Sequence, residues 1–359
     1  MAKAMSKVTV TGQYVRGYGV LEKIGEVSAK LGSKVYVLGG KTALSLTQSV
    51  IESKIQEAGG EILKVEWFGG ESSRANAELM AEKAKSCGAD VMIAVGGGKA
   101  MDTGKLAAEI CGLPLVTVPT IAATCASVAP VSVVYNEKGE FVDVANFDRA
   151  PDAVVVDTKI IMEAPLQHMA AGLGDTLAKW YEYRVSIVKA VKNSFTLGAL
   201  SNGKLCYDLI LQFGTRATES VRSKKYDEAL DEAVDAIILF AGTASALGGD
   251  AIRGAAAHAF YNGLTVIPAA HAAGHGLTVG YGNLVLLALE ERSDEEMAEA
   301  IALAKSCGVP VKLAELGDIS LDDVKIAAKT IVANPDMGNM PFEVTEEKLL
   351  TAVERVEKF

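Results

Sequence analysis

The four histidines of this sequence are few enough for each to be weighed as a metal ligand. His258 lies in the small-residue stretch RGAAAHAFYNG, and His275 follows seventeen residues later in HAAGHGLTVGYG. Because seventeen is not a helical spacing, an ion bound by both imidazoles would join two separate elements. A lone imidazole on an apolar helix is more often a core residue, so the residues alone leave both interpretations open.

A carboxylate near two glycines is the third candidate ligand. Asp175 occurs in AAGLGDTLAKWYE, where the pattern predicts the start of a helix. A carboxylate there either caps the helix or is a buried group stabilised by the helix dipole or by a bound ion. Taken alone, Asp175 is better explained as a cap.

The two remaining histidines offer an alternative. His271 and His275 are four residues apart and would share one face of a helix, although Gly274 and Gly276 weaken a helix there. His168 precedes the long helical stretches and is assigned to structure.

The glycine run in AVGGGKAMDTGK is a candidate phosphate site. VMIAV predicts a buried strand, Gly96, Gly97 and Gly98 allow a tight turn close to a ligand, and a helix is predicted from about Ala100. Unpaired N–H groups at that helix start would attract an anion. Because the spacing differs from GxGxxG, the run by itself fits an ordinary strand-to-helix turn equally well.

Polar residues after the glycine run favour a bound ligand. Asp102 and Lys105 are three apart on the predicted helix, so they would form an ion pair or reach ligand groups together. The hydroxyl-rich stretch that follows contains Thr117, Thr120 and Thr124, and its backbone would lie against a cofactor.

The elements that must position these residues divide the chain in two. Residues 1 to about 160 alternate near-continuous apolar runs with helical stretches, which predicts a parallel sheet covered by helices on both faces. Beyond Pro165 long helical stretches predominate. We therefore predict an α/β fold with a Rossmann-like dinucleotide-binding domain over residues 1–162 and an all-helical metal-binding domain over residues 163–359.

Composition narrows the class of protein. The net charge of −10 opposes attraction to nucleic acid. The five cysteines are scattered without a CxxC pair, which argues against a disulfide framework and a cysteine-ligated zinc. No apolar run is long enough for a membrane span, and the first residues lack the apolar core of a secretion signal. We therefore expect a cytoplasmic protein with no membrane partner.

Three motifs, taken in order, resemble the iron- or zinc-dependent polyol and alcohol dehydrogenases, in particular the glycerol dehydrogenase branch. They are GGGKAMDTGKLAAE with LPLVTVPTIAATCA, then GLGDTLAKWYE, then AAAHAFYNGLT with HAAGHGLTVGYG. The resemblance extends to at least residue 285. It implies a dehydroquinate synthase-like architecture and hydride transfer between a nicotinamide cofactor and a small substrate, assisted by one divalent ion.

The resemblance also implies roles for particular residues. Zinc or iron would be held by Asp175, His258 and His275, and His271 would lie near the active site as a proton relay or substrate residue. The residues implied for the cofactor are Gly40, Lys41, Gly96, Gly97, Gly98, Lys99, Asp102, Thr120, Thr124, Ala129, Val131 and Tyr135.

The sequence departs from the glycerol dehydrogenase pattern at two places. Cys125, in TCAS, replaces the aspartate of TDAP and removes an acceptor for a polyol hydroxyl and a charge that would repel an acid. VPTIAATCA and GDTLAKWYE together resemble more closely a related branch that reduces 2-oxo acids to 2-hydroxy acids, a substrate that fits the missing charge. Arg253 or Lys179 would contact its carboxylate. The stretch VLGGKTA lacks an acid for the ribose 2′-hydroxyl and carries Lys41, which favours NADP over NAD.

Several alternatives stay open. The chain could act on glycerol and dihydroxyacetone, or bind nucleotide and metal without catalysis. Dehydroquinate synthase and glycerol-1-phosphate dehydrogenase need a denser set of cations than the C-terminal half offers. Hydrolysis is disfavoured because no nucleophile–base pair is apparent. Since members of the resembled family often assemble, we expect a homo-oligomer.

Overall fold

The computed structural model describes residues 7–137 and 139–359, apart from the side chains of residues 250, 251, 271 and 272. The chain forms two compact units, one ending at Ala164 and the other beginning at Pro165. In the described residues, no helix has both the length and the apolar character needed to cross a bilayer.

The first unit is built on a six-stranded sheet. Its strands and those of a separate hairpin are β1 (Gln13–Gly17), β2 (Lys34–Gly39), β3 (Glu61–Trp67), β4 (Val91–Gly96), β5 (Leu115–Pro119), β6 (Val131–Tyr135), β7 (Phe141–Asn146) and β8 (Ala153–Asp157). The sheet order is β1-β8-β5-β4-β2-β3, and every pairing in it is parallel. The predicted parallel sheet is confirmed.

Helices of the first unit alternate with the strands. They are α1 (Ile24–Ser28), α2 (Lys41–Glu57), α3 (Arg74–Ser86), α4 (Gly98–Cys111) and α5 (Thr158–Glu163). On β2, Val35 and Val37 belong to one apolar cluster, whereas Tyr36 and Leu38 belong to another. Since successive side chains point to opposite faces of a sheet, each strand must be apolar throughout to supply both clusters.

β1 and the β6–β7 hairpin are not among the predicted elements. β1 is a short edge strand that pairs with β8 and has no fully buried side chain. β6 and β7 pair antiparallel in a two-stranded sheet of their own. Neither shows the continuous apolar run of the central strands, because neither is buried on both faces.

In its described residues the second unit contains helices and no strand, as predicted. Its helices are α6 (Leu166–Ser186), α7 (Ser194–Ser223), α8 (Ala229–Asp235), α9 (Ala241–Ile252), α10 (Ala256–Leu264), α11 (Ala270–Ala273), α12 (His275–Leu289), α13 (Asp294–Ser306), α14 (Leu321–Ala333) and α15 (Glu346–Lys358). A π-helical turn, Ala236–Phe240, joins α8 to α9.

Helix α12 is the centre of the second unit. Every residue from Thr278 to Leu289 is buried, and the helix packs against α6, α10 and α15. A helix surrounded by others is apolar on all sides, which explains the run LVLLAL. The helices that carry the candidate metal ligands are therefore packed directly on one another.

Candidate metal centre and nucleotide loop

Asp175 lies in the middle of α6, which begins at Leu166 after Pro165. The prediction that it caps a helix start is therefore wrong. The nearby glycine is needed for packing and does not end the helix: a Cβ on Gly174 would lie 2.8 Å from the carbonyl oxygen of Gly276 on α12. The glycines before Asp175 thus let α12 come close to α6 beside this carboxylate.

His275 is the first residue of α12, and Gly274 separates it from α11 with a φ of 75°. Because α11 ends at Ala273, His271 and His275 do not share one helical face, and that alternative is wrong. The side chain of His271 lies outside the described residues, so its predicted role stays a prediction. His258 lies in α10, the small-residue helix predicted for it.

Two close backbone contacts hold the three helices beside the candidate ligands. A Cβ on Gly276 would lie 2.4 Å from the carbonyl oxygen of Ala171 on α6. A Cβ on Gly282 would lie 2.8 Å from the carbonyl oxygen of Ala257 on α10. Gly276 and Ala257 are the chain neighbours of His275 and His258, so the packing fixes where both imidazoles begin.

Asp175, His258 and His275 form one cluster. Oδ1 of Asp175 lies 3.2 Å from Nε2 of His275 and 3.5 Å from Nε2 of His258. A tetrahedral ion with bonds of about 2.1 Å separates its ligand atoms by about 3.4 Å, so this donor set fits zinc or ferrous iron. The side chains are 8%, 16% and 37% exposed in that order, so the cluster opens to solvent beside His275.

Opposing charges set the protonation of the cluster. Burial alone would raise the pKa of Asp175, but the charge of Lys179 and hydrogen bonds to His258 and His275 hold it well below its usual range. Burial alone would lower the pKa of His258, but Glu182 and Asp175 raise it to about 10. Asp175 is therefore an anion, which is the state that binds a cation.

Glu182 was not among the predicted site residues, although it lies in the motif GLGDTLAKWYE. It is fully buried, and its Oε2 lies 2.5 Å from Nδ1 of His258. Its spacing from Asp175 could have identified it. Residues seven apart lie on the same face of a helix, so Glu182 shares a face with Asp175.

Lys179 and Tyr261 lie beside the cluster. Lys179 is buried one turn after Asp175 on α6, whereas Arg253 is half-buried at the end of α9. Tyr261, one turn after His258, packs edge-on against the ring of His275, with ring centroids 4.4 Å apart. The ring of His275 is thus held by an aromatic contact.

The glycine run forms the turn between β4 and α4. Gly96 has a φ of 144°, a conformation that favours glycine, and Gly97 is the N-cap of a helix that begins at Gly98, slightly earlier than predicted. Gly97 provides no side-chain cap, so the first N–H groups of α4 can bind an anion. A small pocket adjoins this turn and is also lined by Ile121 and Thr124.

Two predicted threonines lie at this turn. The N–H of Thr120 donates to the carbonyl of Gly96 over 3.0 Å. Oγ1 of Thr124 accepts from the N–H of Ala126 and would lie 3.5 Å from a Cβ on Gly98. By contrast, Thr117 donates its hydroxyl to the carbonyl of Ser127, so that hydroxyl serves the local structure.

Other residues predicted to bind the cofactor or substrate lie at the starts of helices α2 and α4 and in the segment after β5. Gly40 and Lys41 begin α2, where Nζ of Lys41 lies 4.3 Å from the ring centroid of Trp67. Lys99 pairs with Glu71, and its Nζ lies 5.7 Å from the ring centroid of Tyr135. Cys125 is half-buried, and its carbonyl accepts N–H groups of the turn that follows it.

Asp102 and Lys105 form a buried ion pair over 2.9 Å. Nζ of Lys105 also donates to the carbonyls of Ala129, over 3.2 Å, and Val131. Burial raises the pKa of Asp102, and the charge of Lys105 opposes that shift. The structure therefore brings these four predicted residues together. Their contacts connect α4 to the start of the β6–β7 hairpin.

Comparison with known proteins extends over both units. The model of the family "Iron-containing alcohol dehydrogenase" matches residues 11–158. The chain is 34% identical to the glycerol dehydrogenase of Escherichia coli O6:H1, covering 95% of this chain and 94% of that one. It is 34% identical to hydroxycarboxylate dehydrogenase A of Escherichia coli K12, over 91% and 90%. The crystal structure of a probable glycerol dehydrogenase from Sinorhizobium meliloti 1021 has a TM-score of 0.84 at 28% identity and covers 98% of each chain.

Proposed function

Because the chain belongs to the iron-containing alcohol dehydrogenase family, in its glycerol dehydrogenase-like branch, we propose that it transfers hydride between NADPH and a small 2-oxo acid. The observation that carries this proposal is the cluster of Asp175, His258 and His275, whose ligand atoms lie within 4.8 Å of one another. A divalent ion bound there supplies a Lewis acid that polarises a carbonyl or lowers the pKa of an alcohol.

The three ligands have distinct roles in the proposal. Asp175 would supply the negative charge, and His258 and His275 would supply neutral nitrogen donors, because a bound ion displaces the Nε2 proton that the raised pKa of His258 otherwise retains. We place the substrate oxygen on the side of His275, because that side chain is the most exposed of the three. The edge-on contact with Tyr261 limits the movement of the His275 ring.

For the cofactor, we propose that the turn Gly96–Gly98 binds the pyrophosphate. The support is the helix start at Gly98, which offers N–H groups to an anion, together with Thr120 and Thr124 against the same turn. Asp102, Lys105, Ala129 and Val131 act indirectly, since their polar atoms are engaged with one another; they hold the hairpin strand that ends in Tyr135.

The preference for NADP rests on the end of β2. No acid follows the strand there: Gly39 and Gly40 lead directly into Lys41. An acid at that position would bond the ribose 2′-hydroxyl of NAD and repel a 2′-phosphate. With Lys41 against the face of Trp67, a positive charge is available for that phosphate instead.

The choice of a 2-oxo acid rests on charge. Cys125 stands where the glycerol dehydrogenase pattern has a carboxylate, so one repulsive charge for an acid substrate is missing. Lys179 adds positive charge beside Asp175. The similarity to hydroxycarboxylate dehydrogenase A points in the same direction. The second candidate is the oxidation of glycerol, favoured by the equal similarity to the glycerol dehydrogenase of Escherichia coli.

The test is NADPH consumption with 2-oxobutyrate, 2-oxoglutarate, dihydroxyacetone and simple aldehydes, in the presence of Zn²⁺ or Fe²⁺. His258→Ala should abolish turnover, whereas His168→Ala, the same change outside the cluster, should not. Turnover of 2-oxo acids that requires His258 supports the proposal. Turnover of dihydroxyacetone alone would assign glycerol chemistry, and binding of metal and NADPH without any turnover would favour a non-catalytic protein.

A further inference from the structure

The side chain of Glu182, on α6, contacts the start of α10 within the second unit. Its side chain has no exposed surface. Oε1 accepts the backbone N–H groups of Ala255, over 2.7 Å, and of His258, over 2.9 Å. Both donors belong to the first turn of α10, where N–H groups lack partners within the helix. One oxygen of Glu182 therefore anchors the backbone that carries His258.

The second oxygen of Glu182 contacts the imidazole itself. Oε2 lies 2.5 Å from Nδ1 of His258, a distance typical of a charge-assisted hydrogen bond. An ionised carboxylate can only accept, so Nδ1 carries the proton. Nε2, at the opposite side of the ring, faces Oδ1 of Asp175 over 3.5 Å. A neutral imidazole protonated at Nδ1 has its lone pair on Nε2, which is the atom aimed into the cluster.

We propose that Glu182 is a positioning residue for the divalent ion, which fixes the tautomer and the ring orientation of His258. This inference rests on the proposed metal centre. A carboxylate that only stabilised the start of α10 would need the two backbone contacts of Oε1 and not the contact of Oε2 with the ring. The contact with Nδ1 is therefore the feature that distinguishes a role toward the ion from a structural one.

The decisive variant is Glu182→Gln. The amide keeps the size of the side chain, and its oxygen can still accept from Ala255 and His258. Its NH₂ group would face Nδ1 as a donor, so Nδ1 must become the acceptor and the proton moves to Nε2, toward the ion. Loss of such a partner lowers metal affinity by about 10- to 100-fold. We expect this loss for Zn²⁺ and Co²⁺, measured by competition with a chromogenic chelator, together with a changed visible spectrum of the Co²⁺ form.

Glu290→Gln is the matched control. Glu290 is a glutamate of the second unit whose side chain is only 9% exposed, but it pairs with Arg184 and Arg292 and does not belong to the cluster. It should change thermal stability without changing Zn²⁺ affinity. If wild-type protein binds no Zn²⁺, the proposed metal centre fails. If wild-type protein binds Zn²⁺ and Glu182→Gln binds it equally well, the metal centre stands and the positioning role is wrong.

A second measurement covers the case in which Glu182→Gln does not fold. The wild-type protein is labelled with ¹⁵N-histidine and loaded with Zn²⁺, and the ring nitrogens are distinguished by their long-range couplings to ring protons. With four histidines in the sequence, the spectrum can be assigned by single substitutions. His258 should be protonated at Nδ1 and bound through Nε2. Protonation at Nε2 with Nδ1 on the metal would overturn the proposal.

Discussion

Lys105 and Asp102 form an ion pair inside the first unit, and the same lysine donates to two carbonyls of the segment leading into β6. Their spacing predicts a pair on one helix face, but not its burial. A solvated pair would contribute little to stability, whereas removing one partner of a buried pair leaves an uncompensated charge.

Lys105→Met should therefore destabilise the protein by about 3 to 5 kcal/mol, because Asp102 stays buried without its cation. The double variant Lys105→Met with Asp102→Leu should recover much of this loss, since it removes the unpaired carboxylate. Urea unfolding of the three proteins measures the effect. A single variant as stable as wild type would show that the pair contributes nothing.

Gly276→Ala should weaken both stability and metal binding. The new methyl would lie 2.4 Å from the carbonyl oxygen of Ala171, so α12 must move away from α6 and carry His275 with it. Overpacking of this kind costs about 1 to 3 kcal/mol. Gly338→Ala is the control, because its methyl would meet no atom within 4 Å. Thermal unfolding and Zn²⁺ titration should separate the two variants; equal behaviour would refute the packing argument.

Metal loading should stabilise the folded chain. At a free Zn²⁺ concentration about 100 times the Kd, binding adds about 2.7 kcal/mol to the free energy of unfolding. The melting temperature should rise on addition of Zn²⁺ and return after chelation. Asp175→Asn keeps the size of the ligand and removes its charge, so it should lose this response. A response of unchanged size in Asp175→Asn would place the ion elsewhere.

Lys41→Asp should shift the cofactor preference toward NAD. The new carboxylate would repel the 2′-phosphate of NADP and accept from the 2′-hydroxyl of NAD. We expect the ratio of kcat/KM for NADPH to that for NADH to fall at least about tenfold, or ~1.4 kcal/mol. Lys30→Asp makes the same charge change at an exposed position after α1 and should leave the ratio unaltered. Unchanged NADPH preference in Lys41→Asp would rule out the assigned role.

His168 should make stability depend on pH. Burial lowers its pKa below the usual 6.5, so the unfolded chain binds a proton more readily than the folded one. Its contribution is therefore present above pH 6.5 and is lost as the pH falls through the lower, folded value. The difference in melting temperature between wild type and His168→Gln should shift against wild type from pH 8 to pH 5. Asp175, His258 and His275 are present in both proteins, so a constant difference would contradict the prediction.

The central strands were predictable because strands buried on both faces form continuous apolar runs. The helical second unit was predictable from its long stretches with helical periodicity. The β6–β7 hairpin was not, because β6 alternates half-buried and buried residues at the end of a hydroxyl-rich stretch, and β7 has no buried residue. The position of Asp175 was also missed. The glycines near it suggested a helix boundary. The structure shows instead that α6 continues through them and that Gly174 allows the close packing of α12.

The proposed metal ligands were inferred from a resemblance, and the residues alone could not have chosen them. Asp175, His258 and His275 come from three helices, and their separation in sequence carries no information on distance in space. Glu182 was missed for a different reason. No sequence motif indicates a role for it. Its proposed role follows from the structure, in which Oε1 accepts from the backbone of α10 and Oε2 contacts the ring of His258.

The close helix packing beside His258 and His275 affects which ions could fit between these side chains. Because α12 is buried from Thr278 to Leu289 among the helices packed around it, we expect the proposed ligand set to have little freedom to spread apart. Calcium prefers six to eight oxygen ligands at about 2.3 to 2.6 Å, which would require a wider cage and more oxygen atoms. We therefore expect the proposed centre to bind small transition-metal ions in preference to calcium.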